Sequence, residues 1–186
     1  MAVPSKYIQS VVKAAKGRPK STDWYREKIR EFGTPKALDL IRDGKQATNP
    51  FFGRLNMFFY DPKLKAKLPY YDRFPLVLPL ENYSDGFLGL NFHYLPIPLR
   101  MRLLDRVVDF SNNTKFDEST RLNVNYNALK NIRLVRPTIK RYLAGKVKSR
   151  FRRIDADEFT VATLLPVARF SKATAAQVHR DSRKML

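Results

Sequence analysis

The spacing of apolar residues changes near residue 50, and this change limits which secondary structures the two parts of the chain can form. Before residue 50, apolar side chains recur about every 3.6 positions, as they do on one face of an amphipathic helix. The pattern predicts helices over 5–15, 22–32 and 35–43, each followed by a glycine or a Gly-Arg-Pro turn. The first fifty residues therefore contain no strand candidate.

After residue 50 the period falls to about two, which is typical of strands that bury one face. Strands are predicted over Arg54–Tyr60, Pro75–Leu80 and Gly86–Tyr94. The segment Asn82–Gly86 separates the last two and has the Asp-Gly step of a tight turn. The period-2 spacing predicts that a single core buries the following side chains: Phe58, Leu78, Leu88, Leu90 and Phe92.

The remainder of the chain mixes both periods. Helices are predicted over 98–110 and from Pro137 to Leu143, and 119–134 fits a short strand that leads into a helix. Asp155 and Glu158 have the spacing of a capping pair before a further helix, and a weak helix ends the chain. The fold class is therefore predicted to be α+β, with a small antiparallel β-barrel of SH3-like form and helical N- and C-terminal extensions.

Charge divides the chain in a similar way. The net charge is +19, from 36 Lys and Arg against 17 Asp and Glu. Residues 1–50 have 11 basic and 5 acidic side chains, residues 51–95 have 5 and 4, and residues 96–186 have 20 and 8. We therefore expect a basic helical N-terminal arm (1–50), an aromatic β-rich core with inserted helices (51–165) and a C-terminal helical tail (166–186). So large an excess of cations favours a polyanionic partner, which is a nucleic acid, an anionic membrane or an acidic protein surface.

The stretch Lys130–Arg153 has ten basic residues and no acid. Within it, basic residues alternate from Lys146 to Arg152, so a strand would place four cations on one face, about 6.6–7 Å apart. Such a row can follow a phosphate backbone without reading base sequence. A solvated, unliganded face is the alternative. The predicted nucleic-acid-binding residues are Lys140, Arg141, Lys146, Lys148, Arg150, Arg152 and Arg153.

Other chemistry has little support in the sequence. The chain has no cysteine, only two histidines, no phosphate-binding glycine loop and no nucleophile elbow. The cluster Asp155, Asp157 and Glu158 suits a helix cap better than a nuclease metal site. We therefore predict no enzymatic activity, no catalytic residue, no metal and no cofactor. His93 is expected to be structural, and no membrane association is expected because the apolar face of the first helix is weak.

The aromatic residues of the centre have two possible roles. Most are expected to fill the core, because aromatic side chains at strand spacing usually do so. Stacking on unpaired bases is the alternative. Tyr70 and Tyr71, in the polar segment 61–74, are the pair that suits this second role.

Three segments of the centre, Phe59–Lys63, Leu68–Leu80 and Asp85–Pro96, resemble a family of virion-associated proteins of large contractile-tailed bacteriophages. The similarity continues through Ile139–Gly145 and covers most of 55–165. The resemblance implies a DNA-end-binding protein that protects packaged genome termini, or else a baseplate, neck or head-completion component. It also implies location in the virion, and in the bacterial host cytoplasm during assembly.

Two functions remain open at this point. One is a virion protein that binds duplex DNA, at its ends or along its backbone, without sequence specificity. The other is a structural subunit of the phage tail, baseplate or neck, whose basic faces dock on acidic virion proteins. A ribosomal-type RNA-binding protein is a third class that the charge alone permits.

Overall fold

The computed structural model describes residues 6–16, 18, 20–111 and 120–186. The helices are α1 Tyr7–Ala14, α2 Thr22–Phe32, α3 Ala37–Arg42, α4 Ile97–Ser111, α5 Tyr126–Leu129, α6 Phe159–Leu164 and α7 Ala175–Arg183. The strands are β1 Gln46–Ala47, β2 Leu55–Met57, β3 Tyr71–Asp72, β4 Leu76–Tyr83, β5 Gly86–Asn91, β6 Ile139–Leu143, β7 Phe151–Ile154 and β8 Phe170–Ser171. Short 3-10 turns cover Phe92–Tyr94, Arg133–Val135, Ala144–Lys146 and Ala156–Glu158.

The first three helices form where the apolar period predicts them. Ser21 caps α2 by accepting a hydrogen bond from the Trp24 N–H at 3.2 Å, and Gly33 follows the helix at a positive φ of 78°. Tyr7 joins the three helices, because its N–H donates to Asp43 at 2.8 Å and its hydroxyl donates to the Ile29 carbonyl at 3.1 Å. The apolar stripes of these helices are buried in the main core of the chain.

Six strands form one sheet in the order β1-β7-β2-β4-β5-β6, and every neighbouring pair is antiparallel. The predicted turn joins β4 to β5, with Tyr83 opposite Gly86. Only glycine fits at position 86, because a Cβ there would overlap the Tyr142 carbonyl of β6. The remaining strands, β3 and β8, form a separate antiparallel pair.

Each face of the sheet buries a different cluster, because side chains alternate along a strand. Leu76, Leu78 and Leu80 of β4 join the main cluster with the helices, whereas Val77 joins a smaller cluster on the other side. We call the second one the aromatic cluster, and its members are Phe58, Tyr60, Val77, Phe87, Tyr142 and Phe151. The rings meet mostly edge to face, as their quadrupoles favour; Phe58 and Tyr142, for example, lie 5.3 Å apart at 82°.

The structure confirms the α+β class and the burial of most predicted core residues. It does not place them in a single core, because Phe58 lies in the aromatic cluster whereas Leu78, Leu90 and Phe92 lie in the main cluster. Phe58, Leu78, Leu90 and Phe92 are fully buried, while Leu88 is half-buried. The six-stranded sheet stays open in the part of the chain described, so the predicted SH3-like closure is not found there. None of the helices within these ranges has the length and apolar character needed to cross a membrane.

Several local predictions are wrong. The described part of 119–134 contains no strand before α5, the strand from Gly86 ends at Asn91 rather than Tyr94, and Gln46–Ala47, before residue 50, forms strand β1. The segment after Pro137 is not a helix but strand β6, because its backbone pairs with β5 from Gly86 to Leu90. The basic segment 146–152 is not one strand either. It begins in a 3-10 turn, and β7 starts only at Phe151.

Candidate nucleic-acid interface

The structure separates the seven predicted cations into three environments. Arg152 lies in the interior, Arg153 is held in an ion pair beside it, and the other five lie around β6 and the segment that follows. Arg152 is 1 % exposed, so the expectation that it shares a solvent face with Lys146, Lys148 and Arg150 is wrong.

Arg152 is buried because it completes the cap of the helical turn that follows β7. Its Nη2 lies 3.2 Å from Oε1 of Glu158, and Gln9 of α1 donates to the same oxygen at 2.7 Å. Oε2 of Glu158 accepts the N–H of Asp155 at 2.9 Å, which is half of the predicted capping box. Burial lowers the pKa of Arg152 and raises that of Glu158, so each group depends on the charge of the other.

Arg153 is half-buried and paired with Asp155, with 2.6 Å between Nε and Oδ1. The ammonium of Lys45 lies 3.6 Å from the second oxygen of that carboxylate. Asp155 and Glu158 are thus both engaged by cations and a cap. No group of three or more metal-ligating side chains occurs among the described residues.

Two of the remaining cations, Lys140 and Arg141, line an open groove of about 400 Å³ at the β6 edge of the sheet. We call it the tyrosine groove. Its walls come from the segment 60–72, from the end of β5, from β6 and from the C-terminal helix. The lining residues are Tyr60, Pro62, Leu68, Pro69, Tyr70, Tyr71, Asp72, Asn91, Tyr94, Pro137, Ile139, Lys140, Arg141, Tyr142, Ser182 and Met185.

Lys140 is the cation that lies deepest in this groove. Its Nζ is 4.0 Å from the centroid of the Tyr94 ring and donates to the Pro137 carbonyl at 2.8 Å. No carboxylate within the described ranges pairs with it. Burial lowers the pKa of this ammonium to about 8, with no compensating charge. Lys140 therefore carries a charge that the protein itself does not neutralise.

Arg141, the next residue along β6, is exposed and contacts two residues at the turn between β4 and β5. Its guanidinium forms an ion pair with Asp85 and lies 4.2 Å from the Tyr83 ring centroid. Arg150 lines a neighbouring depression that Tyr83 also lines. These two arginines therefore belong to one continuous surface.

Lys146 and Lys148 lie on the segment that runs beside residues 59–61. The Asp61 N–H donates to the Lys146 carbonyl at 3.0 Å, and the Lys148 N–H donates to the Phe59 carbonyl at 2.7 Å. The Asp61 carboxylate lies 3.0 Å from the ammonium of Lys65. The hydrogen bond from Lys65 and the positive charges of Lys65, Lys148 and Lys146 lower the pKa of Asp61. Tyr60 and Pro62 line the tyrosine groove, so the backbone of Lys146 and Lys148 runs beside the segment that forms one of its walls.

The loop that presents Tyr70 is fixed by a residue that the sequence did not single out. The ammonium of Lys172 donates to the carbonyls of Lys65, Ala66 and Leu68 at 2.6, 2.9 and 3.0 Å. Strand β3 adds a second restraint, because Tyr71 pairs with Ser171 of β8. Nothing in the local sequence relates position 172 to this loop, more than 100 residues earlier.

Asp72 anchors the floor of the groove. It accepts hydrogen bonds from the N–H groups of Phe74 (3.0 Å) and Arg169 (3.1 Å) and from Asn91 (3.2 Å). His93 Nδ1 lies 2.8 Å from it. Burial lowers the pKa of His93, so a neutral ring donates its Nδ1–H to the carboxylate. Burial opposes ionisation of Asp72 too, but the hydrogen bonds from His93 and from the backbone N–H groups of Phe74 and Arg169 keep the pKa of this carboxyl below its usual value.

Comparison with known proteins gives one family. Residues 5–181 match the family model described as Phage T4 terminal DNA protecting protein. The chain belongs to this family. The match confirms the resemblance to a DNA-end-protecting phage protein that the sequence suggests. The family description names DNA termini and offers no support for a tail or baseplate role. No curated protein and no solved structure shows a significant match.

Proposed function

We propose that the protein binds the ends of linear duplex DNA through its phosphate backbone, without sequence specificity and without enzymatic turnover. It acts in the phage particle, and in the bacterial host cytoplasm while particles assemble, beside other virion proteins. The observation that carries the proposal is the pair Lys140 and Arg141 in the tyrosine groove, followed by three further cations after β6, in a chain whose family protects DNA termini.

The basic surface that we propose consists of five of the predicted cations: Lys140, Arg141, Lys146, Lys148 and Arg150. Two carboxylates lie near these cations, and each is already in an ion pair: Asp61 pairs with Lys65, and Asp85 pairs with Arg141. The surface therefore keeps a positive potential that attracts phosphate and speeds encounter with DNA. Arg152 and Arg153 take no part, because Glu158 and Asp155 engage them inside the fold.

Contacts of this kind position a protein on DNA but do not read its sequence. Base edges are read by side chains that enter a groove of the duplex, usually from a helix or a two-stranded ribbon. The five cations lie instead on the outermost strand of the sheet and on the segment after it. Affinity should therefore depend on charge and salt far more than on base composition.

A competition experiment tests the proposal. A labelled linear duplex is bound, then displaced by the same sequence with open ends or with both ends closed by hairpin loops. The proposal expects the open-ended duplex to compete better and two unrelated sequences to compete equally. Equal competition by open and closed duplexes would refute end binding. Failure to bind any duplex at low salt would instead favour the competing role, in which these cations dock on acidic virion proteins.

A further inference from the structure

The tyrosine groove offers the two kinds of surface that one nucleotide presents. A nucleotide has an aromatic base and an anionic phosphate. The groove places tyrosine rings beside an ammonium, since Nζ of Lys140 lies 4.0 Å from the centroid of Tyr94 and the Tyr70 ring lies 6.1 Å from the same centroid. Its volume of about 400 Å³ falls in the usual range for small-ligand sites.

The Lys140 ammonium has N–H groups available for further hydrogen bonds. Pro137 accepts one hydrogen bond from Lys140, and an ammonium has three N–H donors. The lysine is only partly accessible to water and meets no carboxylate in the described chain, so an incoming phosphate would be its first full counter-charge. A cation held this way favours an anionic ligand over a neutral one.

The rings are held in place before any ligand arrives. Lys172 fixes the loop before Tyr70 through three carbonyls, and Tyr94 packs against Phe170 at 5.3 Å, edge to face. Tyr70 and Tyr71 remain half-exposed, so they can contact a ligand. A site whose walls are already ordered loses little entropy on binding.

We propose that the tyrosine groove holds the unpaired terminal nucleotide of a DNA end, with its base on the tyrosines and its phosphate at Lys140. The interior of a duplex exposes base edges but no base face, and extruding an interior base costs a few kcal/mol. A frayed or overhanging terminal nucleotide avoids that cost. The groove would thus select ends, whereas the surrounding cations bind any duplex. This inference rests on the proposed DNA binding and adds the source of end selectivity.

The test uses a duplex with a one-nucleotide overhang whose base is a fluorescent adenine analogue that stacking quenches. The same duplex closed by hairpin loops gives the affinity that does not depend on an end. The variants are Tyr70→Ala, Tyr70→Phe and, as a matched control, Tyr126→Ala, which removes an exposed tyrosine of α5 outside the groove. Circular dichroism and urea unfolding verify that each variant folds.

Wild type, Tyr70→Phe and Tyr126→Ala should quench the terminal base and bind the overhang duplex about tenfold more tightly than the closed one, as one stacked base allows. Tyr70→Ala should lose the quenching and most of the preference, yet bind the closed duplex like wild type. Full quenching by Tyr70→Ala would overturn the inference, as would equal wild-type affinity for overhang and closed duplexes. In both cases binding to the closed duplex would still stand. Wild type that binds neither duplex would refute the DNA-binding proposal itself.

Discussion

Lys140→Met should stabilise the protein while weakening its hold on DNA. The substitution keeps a long unbranched side chain over Tyr94 and removes an ammonium that folding partly desolvates. The pKa of Lys140 falls from 10.5 to about 8 on folding, and each unit corresponds to about 1.4 kcal/mol. The full shift would amount to about 3 kcal/mol. Because the side chain keeps some contact with water and loses a bond to Pro137, we expect a gain of about 1–2 kcal/mol at pH 7.

The stability of the wild type depends on pH because folding lowers the pKa of Lys140. Below pH 8 the lysine is charged in both states, and the folded state bears the whole penalty. Between pH 8 and 10.5 the unfolded chain binds more protons than the folded one, so wild-type stability rises with pH through this window. The variant lacks this contribution. Its advantage over wild type should therefore be largest at pH 7 and should nearly vanish by pH 10.5.

Urea unfolding of both proteins at several pH values between 7 and 10.5 measures this difference, because all other titrating groups are shared. Lys130→Met, which changes an exposed lysine after α5, serves as the control and should show no pH-dependent difference. If the stability difference between Lys140→Met and wild type is constant with pH, or if the variant is less stable at pH 7, the assigned environment of Lys140 is wrong.

Three further predictions concern the core and the interior charges. Phe92→Ala should lower the free energy of unfolding by about 3–5 kcal/mol, because the ring is fully buried; an unchanged urea midpoint would refute its placement. Arg152→Met should cost about 3–5 kcal/mol by leaving Glu158 buried without its cation, and the loss should shrink in the Arg152→Met, Glu158→Gln double variant, as thermal unfolding would show. Linear DNA incubated with the protein and magnesium or manganese should stay intact; cleavage that disappears in Asp157→Ala would reverse the prediction of no enzymatic activity.

The local structure that depends on nearby residues was largely predictable. The hairpin turn over Asn82–Gly86 and the capping pair Asp155 and Glu158 both form as expected. In each case the partners lie within a few residues of one another, so the sequence pattern contains the whole interaction. Alternating strands also identified the core residues, with Leu88 as the one that is only half-buried.

Structure that depends on distant residues was not predictable. Ile139, Tyr142 and Leu143 have helical spacing, but backbone pairing with β5 makes this segment a strand. The alternation of Lys146 to Arg152 resembles a cationic face, yet Arg152 turns inward and pairs with Glu158. Glu158, six residues after Arg152, was the feature of the sequence that could have indicated an ion pair in the interior.

The candidate site was predicted in its parts but not in its assembly. The sequence analysis gave Tyr70 and Tyr71 as the pair that suits the alternative stacking role, and Lys140 and Arg141 as phosphate-binding residues, as separate features. Only the fold brings them to one groove, because β6 lies beside β5 and Lys172 fixes the loop before Tyr70.

Salt dependence of duplex binding is the most direct test of the basic surface. Five phosphate contacts predict a slope of log affinity against log salt of about −4.5, and Lys148→Glu with Arg150→Glu should reduce it to about −2.7 or abolish binding at moderate salt. The control variant Arg30→Glu with Lys36→Glu makes the same change in net charge. Both residues are exposed, one in the last turn of α2 and the other just before α3, so this variant should keep the wild-type slope. Equal slopes and affinities for wild type and the Lys148, Arg150 variant would contradict the account.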